Sequence, residues 1–210
     1  MNNVVILGGG GYARVVAEAL RQSGASIKGY VDNKLVAEFS SLPYLGDDTA
    51  LIGIGAAEHT VANGIGSIRV PHARRKVFDR YKNAGFSFVT VIHPSAVIAS
   101  DVSLGEGAQI NAGAVLQSSV RIGDNVIVNV GVVIDHDTFV GDHVHLATGA
   151  VLAGAVTVGE ATMIGAGATI IQGIRIGRKA LVAAGSVVIK DVPDNGRVAG
   201  VPARPMVPRL

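Results

Sequence analysis

From residue 110 to residue 145 the chain reads INAGAV LQSSVR IGDNVI VNVGVV IDHDTF VGDHVH, and each block of six opens on Ile, Leu or Val. The pattern continues in both directions. From Ile92 to Val188, seventeen consecutive positions spaced by six are Ile, Leu or Val without exception. Four residues into each block stands a small or β-branched residue, such as Ala96, Val120, Thr138 and Ala168, with Ile174 the one large exception. A period of six fits neither a helix of 3.6 residues per turn nor a lone strand of period two. It fits a parallel β-helix, in which each block is a short strand plus a corner and three blocks close one triangular coil. A second period supports this: Gly105, Gly123, Gly141, Gly159 and Gly177 are eighteen apart. Glycine recurring at one corner suits a backbone that turns tightly or takes positive φ. Residues 92–188 give about five coils.

Composition agrees with a core of stacked aliphatic ladders. Hydrophobic residues make up 49 % of the 210 and charged ones 16 %, which excludes a disordered chain. Aromatic residues are only 4 %, and eight of the nine lie at or before Phe88. Composition therefore shifts near residue 90. It shifts again at Val192-Pro193-Asp194-Asn195-Gly196, where turn residues take over. The expected organisation is a Rossmann-like unit over 1–89, a β-helix over 90–192 and a tail over 193–210. There is no cysteine, which excludes disulfides, a thiolate zinc site and an acyl group carried on a protein thiol. Met1-Asn2-Asn3 has no basic leader character, and no run of about 18 apolar residues could span a bilayer. The expectation is a soluble cytoplasmic protein with no membrane partner. The net charge of +2 is unevenly placed: 10 basic and 7 acidic groups over 1–89, 1 and 7 over 90–174, 7 and 2 over 175–210. A basic C-terminal end suits a phosphorylated ligand. No aromatic-and-basic pattern is present, so nucleic acid is not expected as a partner.

Ahead of the repeat, residues 4–7 read as a buried strand, followed by Gly8-Gly9-Gly10-Gly11 and a helix over 12–22 with Val15, Val16, Ala19 and Leu20 on one face. A second strand fits residues 27–31, with Asp32 and Asn33 after it. Glycines let a backbone approach a phosphate at a helix N-terminus, and an acidic residue about 20 positions later completes a nucleotide-binding pattern. Ile52-Gly53-Ile54-Gly55 reads as a third strand with another glycine turn. An NAD-linked oxidoreductase is one reading. Only about ninety residues are available, however, and a β-helix supplies no hydride-acceptor pocket. A small βαβαβ unit holding a nucleotide-sugar fits better.

Three of the six histidines fall close together, at His136, His143 and His145, and none occupies an interior ladder. His136 stands between Asp135 and Asp137, which would raise its basicity and orient it as a general base. Neighbouring side chains on a strand point to opposite faces, so a carboxylate reaches the ring only where the chain bends. Either aspartate could do so. Gly154 lies eighteen residues after His136, one coil on, where it leaves room beside the imidazole and a backbone N–H free. Asn129 stacks on Asn111 in the same way. The histidine spacing matches no standard metal site, and no metal is expected.

With these residues in place, the chain resembles the bacterial sugar O- and N-acetyltransferases of the NeuD/PglD type, which act as sialic acid O-acetyltransferases or as bacillosamine or perosamine N-acetyltransferases. The resemblance spans nearly the whole chain. It rests on Ile6-Leu7-Gly8-Gly9-Gly10-Gly11, His93-Pro94-Ser95-Ala96, the stretch from Asn129 to Asp137, His145, Gly154 and Ala199-Gly200-Val201-Pro202-Ala203-Arg204. It implies a left-handed β-helix, a homotrimer with sites between neighbours, and acetyl-CoA as co-substrate. By resemblance His136 is the general base and Asp137 its supporting carboxylate. His145, Gly154, Ala166, Ala184 and Arg204 fall where the family contacts acetyl-CoA. Gly10, Gly11, Tyr12, Asp32, Asn33, Gly55 and Asn129 fall where it meets the nucleotide-sugar acceptor. Where the family commonly has histidine after the glycine loop, this chain has Tyr12. The implied reaction is acetyl transfer to an amino group of a nucleotide-activated amino sugar. The alternatives are O-acetylation of sialic acid or another sugar hydroxyl and, more distantly, a non-catalytic nucleotide-binding β-helix.

Overall fold

A computed structural model of the chain describes residues 3–39, 41–56, 59–67 and 72–206. The N-terminal part is a small α/β unit. Three parallel strands, β1 (Asn3–Leu7), β2 (Ile27–Val31) and β3 (His59–Asn63), form a sheet in the order β2-β1-β3. The helices are α1 (Gly11–Gln22), α2 (Asp48–Ile54) and α3 (His72–Asn83). Side chains alternate across β1: Val4 and Ile6 join the cluster under α1, while Val5 and Leu7 join Phe78, Tyr81 and Phe86 on the other face. α1 buries Ala13, Val16, Ala17 and Leu20, a stripe at helical spacing, while Val15 stays exposed.

One expected element is corrected. Residues 52–55 are not a strand; they end α2. The Asp47 carboxylate accepts the Ala50 N–H at 3.0 Å and caps the helix N-terminus, and Leu51 supplies its buried contact. The third strand lies further on, at His59–Asn63, and a second glycine-containing loop follows it.

From Val91 onward the fold is mainly β, a parallel β-helix whose strands up to Val188 are two residues long. Up to Val188 each strand pairs with the strand eighteen residues away, as Val128 does with Ile110 and with Leu146. The triangular coil has three faces. The first begins at Val91–Ile92, the second at Val97–Ile98 and the third at Ser103–Leu104. Edge 1 joins the first face to the second, edge 2 the second to the third, and edge 3 the third to the first of the next coil. Inside, the large aliphatic ladder and the small-residue ladder are both buried, with Ile134, Val140, Ala150 and Thr162 all at 0 % exposure. Five complete coils are followed by a sixth that closes through a bridge between Ile176 and Val192, and the turns thus number about six. In that last turn Val192 and Val198 take interior places although the six-residue register has ended.

The glycine ladder has a different cause from the one expected. Gly105 through Gly177 at edge 3 are not the left-handed residues. They are where successive coils touch: a Cβ on Gly159 would sit 2.6 Å from the Arg178 nitrogen. Positive φ falls two residues later, at Asn125 (55°) and His143 (59°), and at edge 2 at Asp137 (58°).

The α/β unit leans on the first face and edge 3. Phe78 of α3 stacks on Phe88 at 4.4 Å and meets the His143 ring at 5.5 Å. Arg75 pairs with Glu160 at 2.6 Å and Lys82 with Glu106 at 2.8 Å. Among the described residues, no helix is long and apolar enough to cross a membrane.

Candidate active site

His136 sits at the tip of edge 2, just past the strand Val133–Ile134 whose Ile134 fills the interior. The two flanking aspartates divide the work. Asp135 accepts the backbone N–H of His136 at 2.8 Å and so fixes the turn. Asp137, in the left-handed conformation, folds its carboxylate back onto the ring, with Oδ2 2.7 Å from Nδ1. The bend that a carboxylate needs is supplied by that one positive φ. With Nδ1–H donated to Asp137, Nε2 carries the lone pair. The hydrogen bond to Asp137, and then the charge of Asp135, raise the His136 pKa above its ordinary 6.5. The side chain is about half exposed, 51 %.

Gly154 lies beneath this ring. A Cβ there would come within 2.7 Å of His136 Nε2. The Gly154 carbonyl accepts the Gly173 N–H at 3.0 Å, while its own N–H has no hydrogen-bond partner among the described residues. A basic nitrogen and a free N–H donor therefore lie side by side on one edge.

A second feature is a cleft of about 530 Å³ between the α/β unit and the solenoid. Gly10, Gly11 and Tyr12 form one wall, Asp32 stands at one end, and Asn129 and His145 come from the solenoid. The lining is completed by Gly64, Ile65, Gly66 and Ser67, the loop after β3, which packs on the first loop: a Cβ on Gly66 would come within 2.9 Å of Tyr12 Cβ. Those residues escaped the sequence reading, although Asn63-Gly64-Ile65-Gly66-Ser67 repeats the glycine signal of the first loop. Asp32 accepts the Gly9 N–H at 2.8 Å and the Asn33 N–H at 2.7 Å, so it first shapes the loop. Asn33 opens into a smaller adjoining cleft of about 100 Å³ that also holds Asp32 and Ile65. Gly55, at the C-cap of α2, lines neither cleft. The Tyr12 hydroxyl donates to Gln109 Oε1 at 2.9 Å and accepts from Asn111 Nδ2 at 3.3 Å, fastening α1 to the solenoid.

The three histidines separate. His143 is buried against Phe78 with Nδ1 3.0 Å from Asn125 Nδ2, and burial lowers its pKa; it is part of the packing. His145 is buried in the cleft, 5 % exposed, and desolvation followed by the Arg74 charge brings its pKa down to about 4. It is a neutral imidazole. Neither ring nitrogen has a well-formed side-chain partner among the described residues, and the Ser67 backbone lies close by.

The residues implied for acetyl-CoA also divide. Ala166 and Ala184 stack on edge 1 with Val130, while Gly154 lies on edge 2 with His136. Arg204 opens the short strand that pairs antiparallel with Ala199 at the last coil. Of the other basic residues, Arg175 and Arg178 line a separate groove with Phe139 on the third face, and Arg178 faces Asp194 at 3.8 Å. Among the described residues no group of three or more His, Cys, Asp or Glu side chains could hold a metal.

A six-residue solenoid with a histidine–carboxylate pair on one edge and a small-residue ladder on the next is the architecture of a hexapeptide-repeat acyltransferase. Comparisons with known proteins narrow that class. The family described as PglD N-terminal domain matches residues 3–81, and that described as hexapeptide repeat of succinyl-transferase matches residues 155–190. A mutant perosamine N-acetyltransferase from Caulobacter crescentus, in complex with CoA and GDP-perosamine, superposes with a TM-score of 0.92 at 38 % identity, over 99 % of this chain and 98 % of that one. The acetyltransferase domain of PglB from Neisseria gonorrhoeae, in complex with acetyl coenzyme A, gives 0.91 at 31 %, over 98 % and 100 %. WeeI from Acinetobacter baumannii gives 0.88 at 26 %, over 98 % and 100 %. A search of curated protein sequences finds no match. The chain belongs to the NeuD/PglD-like family of bacterial sugar acetyltransferases.

Proposed function

We propose that this enzyme transfers the acetyl group of acetyl-CoA to an amino group on a nucleotide-activated amino sugar, in glycan or cell-surface polysaccharide biosynthesis. The observation that carries the reading is the His136 imidazole, braced through Nδ1 by Asp137 and presenting Nε2 above Gly154. The neutral acceptor amine attacks the thioester carbonyl while Nε2 takes its proton. The Gly154 N–H stabilises the oxyanion that forms. Collapse expels the CoA thiolate, which recovers the proton from His136, and no acyl group rests on the protein. The absence of cysteine agrees with direct transfer.

The nucleotide part belongs in the cleft of Gly10, Gly11, Tyr12, Asp32 and Asn129, with Asn33 and Gly55 the least supported of the acceptor residues by their placement. That cleft opens on the first face, whereas His136 stands on the edge opposite that face. One copy cannot bring the two together. The second face, between edges 1 and 2, presents Val97, Val115, Val133, Val151, Thr169 and Val187 outward, and Val97 is 62 % exposed. Closing three copies on this apolar stripe sets edge 2 of one copy against edge 1 of the next. His136 and Gly154 then face a neighbouring cleft with its Asn129, His145, Ala166 and Ala184, and the tail with Arg204 lies at the end of the same seam. The reading therefore takes the enzyme as a homotrimer, working in the cytoplasm beside its nucleotide-linked substrates.

The test is thiol release from acetyl-CoA with a panel of nucleotide-linked amino sugars and with sialic acid. Turnover only with amino sugars supports the reading; turnover only with sialic acid replaces it by O-acetylation; none with either removes it.

A further inference from the structure

Three polar groups buried between the α/β unit and the solenoid, Arg74, Asn63 and Gln109, take no part in the chemistry above. Arg74, on the first turn of α3, is 1 % exposed and stands first by volume among the fully buried side chains. Its guanidinium has no carboxylate partner among the described residues; it donates to main-chain carbonyls instead. Nη1 reaches the Asn63 oxygen at 2.9 Å and the Ile65 oxygen at 3.0 Å, and Nε reaches the Asn125 oxygen of the solenoid at 3.2 Å. A buried cation without a counter-charge is costly, and its retention needs a reason.

The reason lies in what those carbonyls belong to. Asn63 and Ile65 open the loop that walls the acceptor cleft. We propose that Arg74 is a positioning residue for the acceptor subsite, holding the loop of residues 63–67 against the solenoid and so setting the width of the cleft. The proposal rests on the acetyl-transfer reading for its substrate and on hydrogen bonding for its mechanics. Asn63 completes the clasp: its Nδ2 donates to the Arg74 carbonyl and to Asn125 Oδ1, and its Oδ1 accepts the Ile65 N–H. Gln109 of the solenoid holds both loops, since its Nε2 donates to the Asn63 carbonyl and its Oε1 accepts the Tyr12 hydroxyl. The guanidinium carbon sits 6.0 Å from the Tyr12 ring centre, and Nη2 has no partner among the described residues. The planar fork matters here, because a lysine ammonium cannot span three carbonyls in fixed directions.

The full-length protein with Arg74→Lys or Arg74→Gln tests this, beside Asn63→Ala as an independent way to open the clasp. Hydrogen exchange at residues 64–67 and steady-state kinetics are the readouts. The expected result is exchange at those amides faster by about tenfold, with the acceptor KM raised about ten- to a hundredfold and the acetyl-CoA KM changed by less than about twofold. Arg74→Lys keeps the charge and still fails to restore the loop. Unchanged exchange and an unchanged acceptor KM overturn the proposal. So does equal loss for both substrates together with faster exchange throughout the solenoid, which marks a purely structural residue. If the wild-type protein acetylates no acceptor in the panel, the functional reading fails while the exchange measurement still decides the role of Arg74.

Discussion

The solenoid and the α/β unit meet the same requirement, a backbone placed to within an ångström, by opposite means. In the solenoid, position follows from repetition. From Val91 to Val188 every strand is two residues long with its partners eighteen residues away, and side chains at edge 2 inherit their place from the ladder beneath them. In the α/β unit nothing repeats, and the cleft walls are held by individual contacts, such as Gly9 N–H to Asp32 and Arg74 to two loop carbonyls. The comparison assigns different kinetic roles. On the proposed reading, groups on the solenoid edge act on the bond being made, so their loss should fall on kcat. On the same reading, groups in the cleft hold the acceptor, so their loss should fall on its KM.

The sharpest way to break that division is His136→Ala. It should lower kcat by about 10² to 10⁴, the usual worth of a general base, and leave CoA binding by calorimetry unchanged. Turnover above a tenth of wild type would remove His136 from its role. Next comes Gly154→Ala, whose new Cβ would displace the imidazole it now lies under. A fall in kcat of about 10² with an unaltered melting temperature is expected, since small misplacement of a reacting group is that costly. On the other side of the comparison, Asp32→Ala frees the first glycine loop; the acceptor KM should rise about tenfold with kcat nearly unchanged. A drop in kcat alone would mean the two regions do not divide in this way.

The pH profile adds a finer test. Because hydrogen bonding to Asp137 raises the His136 pKa, protonation removes the base earlier on acidification, and kcat should fall with a midpoint above 6.5. Asp137→Asn should move that midpoint downward toward 6.5 and cost less turnover than His136→Ala. The smallest effect belongs to Tyr12→Phe, which leaves Gln109 and Asn111 without their hydroxyl partner. A loss of about 1 kcal/mol in unfolding free energy is expected, with turnover little changed.

The two regions also differed in how far they could be read before the fold was seen. The hexads placed the solenoid strands up to Val188, because an interior ladder admits one register and a shift of one residue would turn Ile134 outward and Asp135 in. The last turn, with Val198 inside and Arg197–Ala199 on the first face, lies beyond the hexads and reads in sequence as tail. Which aspartate serves His136 could not be read, because it depends on the left-handed backbone of residue 137, an uncommon state for a non-glycine residue. In the α/β unit the apolar alternation of residues 52–55 suggested a strand, but five residues earlier Asp47 caps a helix. That local hydrogen bond outweighed the pattern. The error displaced β3 and hid the glycine loop after it, and with it half of the cleft. His143 shows the opposite failing. Sequence proximity grouped it with His136, whereas the coil carries the two to different edges and packs one beneath Phe78.

The eighteen-residue coil makes the solenoid a ruler with discrete marks. Each added coil lengthens it by one strand spacing, about 4.8 Å. Duplicating a whole coil beyond Gly154 would keep His136 and its glycine adjacent while carrying Arg204 one mark further along the solenoid. A lineage could lengthen or shorten its reach in this way without rebuilding the reaction centre. Duplicating a single hexad would instead advance every later residue by a third of a turn, and the Ala166–Ala184 ladder would leave edge 1 for edge 2. Length variation in this architecture is therefore expected in multiples of eighteen.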